Sequence, residues 1–247
     1  MMKRMMNKEL GIRILKMMLL YSLFLIPYSV NAQSVDLLWQ GETYTPPFYK
    51  GRALWSSHSN VTVFAIPHDL GNRDNLYYKW SRNGTVLGLA SGVGINTLTF
   101  SDRIISKPQI IKVEIVSPEQ EDALSSIWAE TSVTITPRLP SLIIYENNPL
   151  YGFMFHRETG ERHELQEREA TLTAFPLFFS ALNRNDSMIG YEWRANPGEI
   201  TDAENSVTYR APDGTDGLSA ISVHALHKDT DKFLQNASKS FLIQFGK

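Results

Sequence analysis

Apolar and polar side chains alternate with a period of two along most of the chain, which is typical of strands with one buried face. The clearest case is residues 109–117, where Ile111, Val113 and Ile115 share one face and Lys112, Glu114 and Val116 share the other. No segment shows a convincing 3.6-residue period, so we expect little helix. The pattern predicts an all-β protein.

One predicted core strand runs directly into a tight turn. Tyr78 and Trp80 fall on the same face of this strand, and Asn83-Gly84 follows it. Asn-Gly between two extended runs is the strongest short-range signal for a two-residue hairpin. Residues 85–89 are the predicted return strand.

The order of predicted elements in the first half of the chain returns in the second half. Four landmark pairs lie 108 to 113 residues apart: Pro67 and Pro176, Trp80 and Trp193, Val113 and Val223, Ile135 and Ile243. This spacing is too long for a solenoid unit and matches a sandwich domain of about 100 residues. The sequence therefore predicts a tandem duplication.

The predicted boundaries follow from this repeat. Domain 1 covers residues 33–137 and domain 2 covers residues 138–247, and the proline-containing linker Pro137–Pro140 lies at their boundary. In domain 2, two extended pieces on either side of Gly160 predict an inserted hairpin at about residues 151–165.

A family resemblance is carried by residues of domain 2. They are Trp193, Gly198-Glu199-Ile200, Ser206-Val207-Thr208-Tyr209-Arg210-Ala211-Pro212, Gly217 and Ile221-Ser222-Val223. This order resembles bacterial immunoglobulin-like or polycystic-kidney-disease-type (PKD) modules, in which a Trp strand leads to a "vTYxAP" strand. Domain 1 is similar at Tyr78-Lys79-Trp80 but has Thr97–Phe100 where that strand would stand. The resemblance implies two immunoglobulin-like β-sandwiches, a fold that serves many functions.

The N-terminal segment has the pattern of an export signal. Basic residues precede an uncharged apolar run from Met17 to Ile26, and the small-residue exit Val30-Asn31-Ala32 follows. We predict a signal peptide at residues 1–32 and a mature chain that begins at Gln33. The alternative is an uncleaved membrane anchor, although the apolar run is shorter than the ~20 residues that span a bilayer.

Composition limits the function further. A net charge of −2 and a pI near 6.3 provide no basic surface for nucleic acid. The chain has no cysteine, which excludes disulfides, thiolate metal sites and a cysteine nucleophile. We expect the hydrophobic cores alone to hold the fold together.

Candidate metal ligands are scattered along the sequence. His156 and His163 could face each other across the predicted hairpin, whereas His224 and His227 would point to opposite faces of a strand. Three oxygen-rich loops could bind calcium but lack the full ligand spacing of a calcium loop: Asp69, Asn72 and Asp74; Asp213 and Asp216; Asp229 and Asp231. We predict ordinary turns and solvated loops, with no metal and no cofactor.

Catalysis has no support from motifs. A G-x-S-x-G elbow is missing, and the glycine-rich stretch Ala90–Gly94 has no helix after it to form a phosphate site. Glu119 and Glu121 lie in a predicted turn. We therefore predict a protein that is not an enzyme and has no catalytic residues.

Aromatic residues outside the core pattern are a better indication of binding. They lie between the first two strands of each domain: Tyr44, Phe48 and Tyr49 in domain 1, and Tyr151, Phe153 and Phe155 in domain 2. Exposed aromatics would suit a protein or sugar surface. The favoured alternative is that they cover a sheet edge or fill the seam between the domains.

The expected function is adhesion, scaffolding or surface assembly in the cell envelope or outside the cell. The expected partners are other envelope or surface proteins, or glycans, and the membrane only through an uncleaved N-terminal segment. A carbohydrate-binding module, which needs a coplanar row of exposed aromatics, is one alternative. An accessory component of a pilus or secretion machine is another.

Overall fold

The computed structural model describes residues 33–102, 107–116, 127–195 and 198–246. The predicted signal peptide and the turn that carries Glu119 and Glu121 lie outside these residues. Within the described ranges, no helix is long and apolar enough to cross a membrane. Residues 34–247 form one compact unit, and nearly all of its regular structure is strand.

The first half of the unit is a sandwich of two sheets. Its strands are β1 Ser34–Gly41, β2 Asn60–His68, β3 Tyr77–Arg82, β4 Thr85–Val86, β5 Gly92–Val93, β6 Thr97–Ser101, β7 Gln109–Val116 and β8 Ile127–Ile135. One sheet has the order β1-β2-β6 and the other has the order β4-β3-β7-β8, with β5 also paired to β3. Short 3-10 turns occur at Arg73–Asn75 and Gly88–Ala90.

The second half is a sandwich on the same plan. Its strands are β9 Ser141–Asn148, β10 Gly152–Glu158, β11 Arg162–Glu164, β12 Glu169–Leu177, β13 Ile189–Ala195, β14 Gly198–Ile200, β15 Ser206–Arg210, β16 Gly217–His227 and β17 Asn236–Phe245. The sheet orders are β10-β9-β12-β15 and β11-β17-β16-β13-β14, and a 3-10 turn lies at Thr230–Lys232. In the letter nomenclature of immunoglobulin folds, β1-β2-β6 and β9-β12-β15 take the A, B and E positions, and β3-β7-β8 and β13-β16-β17 take the C, F and G positions. Both halves therefore pack an A-B-E sheet against a C-F-G sheet, as immunoglobulin-like sandwiches do.

Each sandwich has its own hydrophobic core between its sheets. Tyr78, Trp80, Ile111, Val113 and Ile115 are fully buried in the first core, as the alternation predicts. Trp193 is the corresponding fully buried residue of the second core. The two tryptophans make the same kind of bond. Nε1 of Trp80 donates to the carbonyl of Ile95 at 2.9 Å, and Nε1 of Trp193 donates to that of Glu204 at 2.8 Å.

A cross-strand hydrogen bond also recurs at a fixed spacing. The hydroxyls of Thr62 and Thr99 are 3.1 Å apart between β2 and β6, and those of Thr171 and Thr208 are 2.9 Å apart between β12 and β15. Both residues of the second pair follow those of the first by 109 positions. Thr97–Phe100, the point of departure from the sequence resemblance, thus occupies the strand position of the "TYxAP" segment.

Two local predictions change in the structure. The Asn83-Gly84 turn is confirmed, with φ of 52° and 82°, but the return strand β4 ends at Val86 and a 3-10 turn follows. The predicted hairpin at about 151–165 is wrong. β10 pairs with β9, whereas β11 crosses to the other sheet and pairs in parallel with β17. The crossing is fixed because Thr159 N–H donates to Ile144 and Leu242 N–H donates to Glu161, each at 2.9 Å.

Candidate functional surfaces

The segment between β1 and β2, residues 42–59, leaves its own sheet and packs on the second sandwich. Tyr44 N–H donates to the Phe179 carbonyl at 2.8 Å, and Phe178 N–H donates to the Tyr44 carbonyl at 2.9 Å. At the other end of the segment, Arg138 N–H donates to the carbonyl of the fully buried Trp55 at 2.7 Å. The segment is therefore held by both sandwiches.

Phe48 anchors this segment in an aromatic cluster of the second sandwich. Its ring lies 5.0 Å from Tyr145, 5.0 Å from Phe155 and 5.4 Å from Phe175, measured between ring centroids. The neighbouring Tyr49 meets Phe178 edge-on at 5.6 Å. Edge-to-face contacts of this kind are favourable beyond the burial of area. The prediction that these aromatics fill the seam between the domains is confirmed for Phe48 and Tyr49.

Arg184 covers the same cluster from the side. Its guanidinium lies 4.7 Å above the ring of Phe153 and 4.9 Å from that of Phe175, a cation–π arrangement. Phe153 also stacks on Phe155 at 5.5 Å. Tyr151 and Phe155 are the exceptions among the predicted aromatics, because they are 78% and 40% exposed. Phe48, Tyr49 and Phe153 are engaged in ring contacts and do not contribute to the row of exposed rings that a carbohydrate-binding module needs.

A buried glutamine joins the two sandwiches by polar contacts. The side chain of Gln235 is fully buried, and its amide donates to the Ser57 carbonyl at 2.9 Å and to the Ser180 hydroxyl at 2.8 Å. Its carbonyl oxygen accepts from Ser180 N–H at 2.7 Å. Ser57 belongs to the first sandwich, so this one side chain links residues 178 positions apart.

His227 lies beside Gln235 in a fixed tautomer. Its Nδ1 accepts from Asp229 N–H at 3.1 Å, so Nε2 carries the proton and donates to the Ser180 carbonyl at 3.1 Å. Burial lowers the pKa of His227 below its ordinary value of 6.5, and the hydrogen bond to Ser180 opposes this only in part. The histidine is therefore neutral and structural at neutral pH.

A polar cleft of about 850 Å³ opens where the two sandwiches meet. Glu42, Asp186 and Lys232 are its charged residues, and His58 lines it from the first sandwich with its ring 5.4 Å from Phe233. The Glu42 carboxylate already has a hydrogen-bond partner, because it accepts from the Asn60 side-chain amide at 2.8 Å. Backbone donors from Leu182 and Met188 hold the pKa of the Asp186 carboxyl below its usual value. The carboxylates of Glu42 and Asp186 are thus engaged in local hydrogen bonds.

The outer faces of the two C-F-G sheets differ although their registers agree. In the first sandwich, Lys79, Lys112 and Glu130 form a ladder of ion pairs around Glu114, with N–O distances of 2.8 Å. Hydrogen bonds from Lys112 and Lys79 lower the pKa of Glu114.

In the second sandwich three of the six corresponding positions carry serine: Glu192, His224 and Ser238 lie in one row, and Arg194, Ser222 and Ser240 lie in the next. They line two adjoining grooves of about 820 and 370 Å³.

The predicted metal candidates do not come together. His156 is exposed on β10, and His163 is buried on β11 in the opposite sheet, so the predicted cross-hairpin pair does not exist. Glu146 Oε2 lies 3.2 Å from His163 Nε2 without hydrogen-bond orientation, and burial lowers the pKa of His163. Within the residues that the structure describes, no three His, Asp or Glu side chains form a metal-binding group.

The acidic loops have ordinary structural roles. Asn72 accepts from Asp74 N–H at 3.1 Å, and Asp229 accepts from Asp231 N–H at 3.0 Å, which are the bonds of tight turns. Asp213 pairs with Arg168. The prediction of turns at these sites is in keeping with these bonds.

Ser91 in the glycine-rich stretch is also structural. Its hydroxyl accepts from the Trp80 backbone N–H at 2.9 Å and donates to the Leu87 carbonyl at 2.8 Å.

Sequence reasoning did not identify the junction residues Trp55, Arg184 and Gln235. Their partners are distant in sequence, and no local signal marks them.

No protein-family model and no curated protein matches the chain. Among solved structures, it is similar to the three N-terminal domains of the bacteriophage RB49 outer capsid protein Hoc, with 16% identity over 86% of this chain and a TM-score of 0.42. It is also similar to the Bacteroides ovatus SGBP-B protein, solved in complex with a mixed-linkage heptasaccharide, with 8% identity over 86% of this chain and a TM-score of 0.24.

A third similar structure is immunoglobulin domains 1–4 of Sidekick-1, with 11% identity over 85% of this chain and a TM-score of 0.24. The chain spans 59%, 70% and 51% of these three structures, in the order given. At these TM-scores the similarities add no argument about function, and the all-β immunoglobulin-like fold is established by the strand orders themselves.

Proposed function

We propose that this protein is an exported, non-catalytic component of the cell envelope or cell surface that acts in adhesion, scaffolding or surface assembly. In this proposal residues 1–32 are removed as a signal peptide, and residues 33–137 and 138–247 are two tandem domains of immunoglobulin-like or PKD type. The partners are other envelope or surface proteins. The chain presents their binding surfaces at a fixed geometry.

The observation that supports this proposal is the junction between the sandwiches. Phe48 in its aromatic cluster, the Tyr44 backbone pair and Gln235 hold the two halves together. Apolar packing combined with buried hydrogen bonds restricts relative motion more than a short linker alone would. A fixed angle suits a protein that displays loops and edge strands at a set distance from the membrane.

The junction also bears on the carbohydrate alternative. Phe48, Tyr49 and Phe153 contribute their rings to the seam or to the cluster beneath it. Those rings are not available as a stacking platform, so protein partners are favoured over glycans. An accessory role in a pilus or secretion machine is one form of the same display function.

Export is tested by expressing residues 1–247 in a bacterial host and measuring the intact mass of the product. We expect a chain that begins at Gln33, recovered outside the cytoplasm and labelled on intact cells by a membrane-impermeant amine reagent. An unprocessed chain in the cytosol would overturn the proposal. A processed chain confined to the periplasm would restrict the function to the envelope interior.

A further inference from the structure

Strand β11 covers the outer edge of β17 with three residues. Arg162–Glu164 pair in parallel with β17, and β16 lies on the other side of β17. At one end of this pairing Leu242 N–H donates to the Glu161 carbonyl at 2.9 Å. At the other end Leu165 N–H donates to the Gln244 carbonyl, also at 2.9 Å. Detachment of β11 would therefore turn β17 into an edge strand.

The middle residue of β11 buries its side chain in the sandwich. His163 is 4% exposed, and its Nε2 has no hydrogen-bond partner among the residues that the structure describes. Thr159, in the segment between β10 and β11, is 1% exposed, and its Oγ1 likewise lacks a partner within the described ranges. Buried polar atoms that give up water without gaining a partner weaken the state that buries them. Both atoms therefore oppose the attached position of β11.

Two charged residues of the opposite sheet act on His163. Glu146 on β9 places Oε2 3.2 Å from Nε2, without hydrogen-bond orientation, and its side chain is 21% exposed. Arg157 on β10 is exposed and has the same sign of charge as a protonated imidazole. Burial has the largest effect on the pKa of His163 and lowers it; the Glu146 charge opposes this effect, and the Arg157 charge adds to it. The neutral imidazole is therefore the form that fits the attached strand.

The other charged residues of the adjoining strands are paired or face away from this site. Lys239 of β17 is paired with Glu158 of β10. Arg162 and Glu164 flank His163 on β11 and are exposed on the opposite face of the strand. The charge of a protonated His163 would therefore be balanced by one partly buried carboxylate at most.

We propose that acidification detaches β11 from β17, because a proton on His163 places a charge in a buried site. Histidine is the side chain whose ordinary charge change falls between about pH 5 and 8. Detachment leaves backbone N–H and C=O groups of β17 unpaired, and such an edge is a template for adding a strand from another protein. The inference goes beyond the proposed display function, because it assigns a pH-dependent edge to the fold itself.

The size of the effect follows from proton linkage. The pKa of His163 is lowered in the attached state and returns towards its ordinary value of 6.5 when β11 detaches. The contribution of His163 to attachment is therefore complete above pH 6.5 and is lost as the pH falls towards the lowered pKa. If the attached His163 stays neutral, a change from about pH 7.5 to about pH 5 raises the equilibrium constant for detachment by up to about 30-fold.

Hydrogen exchange of single amides tests the proposal, measured by NMR on the protein purified after expression of residues 1–247. The amides of Leu242 and Leu165 report the pairing of β11 with β17, and the amide of Ala174, bonded to Asn205 in the opposite sheet at 2.8 Å, reports the rest of the sandwich. Local detachment predicts that the first two amides are less protected than Ala174. After correction for the intrinsic pH dependence of exchange, their protection should fall in acid by up to the factor given above.

Variants separate His163 from other acid effects. His163→Gln removes the titrating group and should abolish the acid-induced loss of protection at Leu242 and Leu165. His156→Gln, at an exposed histidine on β10, is the matched control and should behave as the wild type. Arg157→Gln, at an exposed position, raises the pKa of His163 by removing a like charge and should reduce the loss. A thermal melt at neutral pH checks the folding of each variant.

Four results would overturn the proposal. They are unchanged protection of Leu242 and Leu165 in acid, protection equal to that of Ala174, a loss that persists in His163→Gln, and increased protection in acid. The last would mean that Glu146 pairs with the protonated imidazole and tightens the attachment. Each of these results leaves the export experiment unaffected, so the two proposals fail separately.

Discussion

Replacing Phe48 with alanine should loosen the junction between the two sandwiches while leaving each of them folded. Phe48 is the only side chain changed, and the Tyr44 backbone pair and the Gln235 bonds would remain. The variant removes a ring that contacts Tyr145, Phe155 and Phe175. The cores on either side of the seam contain none of these contacts and should be unaffected.

The expected loss can be worked from these contacts. Truncating a fully buried phenylalanine costs about 3–5 kcal/mol, and each aromatic pair is worth about 0.5–1.5 kcal/mol beyond burial. Phe48 is only partly buried, so we expect a loss of about 2–3 kcal/mol. For a unit of this size that corresponds to a decrease of roughly 4–12 °C in melting temperature. A single transition could also separate into two, since the seam couples the two cores.

Electron–electron distance measurements test the geometry directly. The chain has no cysteine, so Val86→Cys and Leu218→Cys, both at half-exposed positions in different sandwiches, take spin labels at defined sites. We expect a narrow distance distribution that broadens with Phe48→Ala. Leu89→Ala, at a fully exposed leucine, is the control and should change neither the distribution nor the melting temperature. An unchanged distribution in Phe48→Ala would refute the claim that the aromatic seam sets the angle.

The remaining predictions concern the polar side of the junction and the repeat. Burial lowers the pKa of His227, so its stabilising contribution is complete above pH 6.5 and is lost as the pH falls from there towards the lowered pKa. In urea unfolding, His227→Gln should therefore reduce the dependence of the unfolding free energy on pH below 6.5. An unchanged pH dependence would contradict this. Gln235→Leu should cost about 2–4 kcal/mol because it leaves buried groups of Ser57 and Ser180 without partners, whereas Gln166→Leu, on the surface, should cost almost nothing. Thr99→Val and Thr208→Val should each cost less than about 1 kcal/mol, by similar amounts, if their cross-strand bonds are equivalent.

The strands were predictable because a strand with one buried face has a local signature. Tyr78 and Trp80, and the three aliphatic residues of β7, are buried as their alternation requires. The similar strand order of the two halves was detectable for the same reason, since strands in corresponding positions have corresponding buried residues. The failed hairpin at residues 151–165 shows the limit. Alternation identifies an extended segment, but it does not identify the strand with which that segment pairs.

The junction could be predicted only as one of two alternatives. The sequence marked Phe48 as an aromatic residue outside the core pattern, but its partner Phe175 is 127 positions away, and no local pattern connects them. Gln235 gave no signal at all, because a buried amide that bridges Ser57 and Ser180 is indistinguishable in sequence from a surface glutamine. Contacts between domains depend on surfaces that exist only after both domains have folded.

Because the two sandwiches share one plan, their differences indicate where binding is to be expected. On the first C-F-G face, Glu114 is paired with two lysines, and a partner that covered this ladder would have to desolvate all of these charges. On the corresponding face of the second sandwich, Ser222 takes the place of the central lysine, Lys112, and this small hydroxyl side chain lines two grooves. Desolvation there costs less, and backbone approach is closer. A protein partner should therefore bind the second C-F-G face in preference to the first.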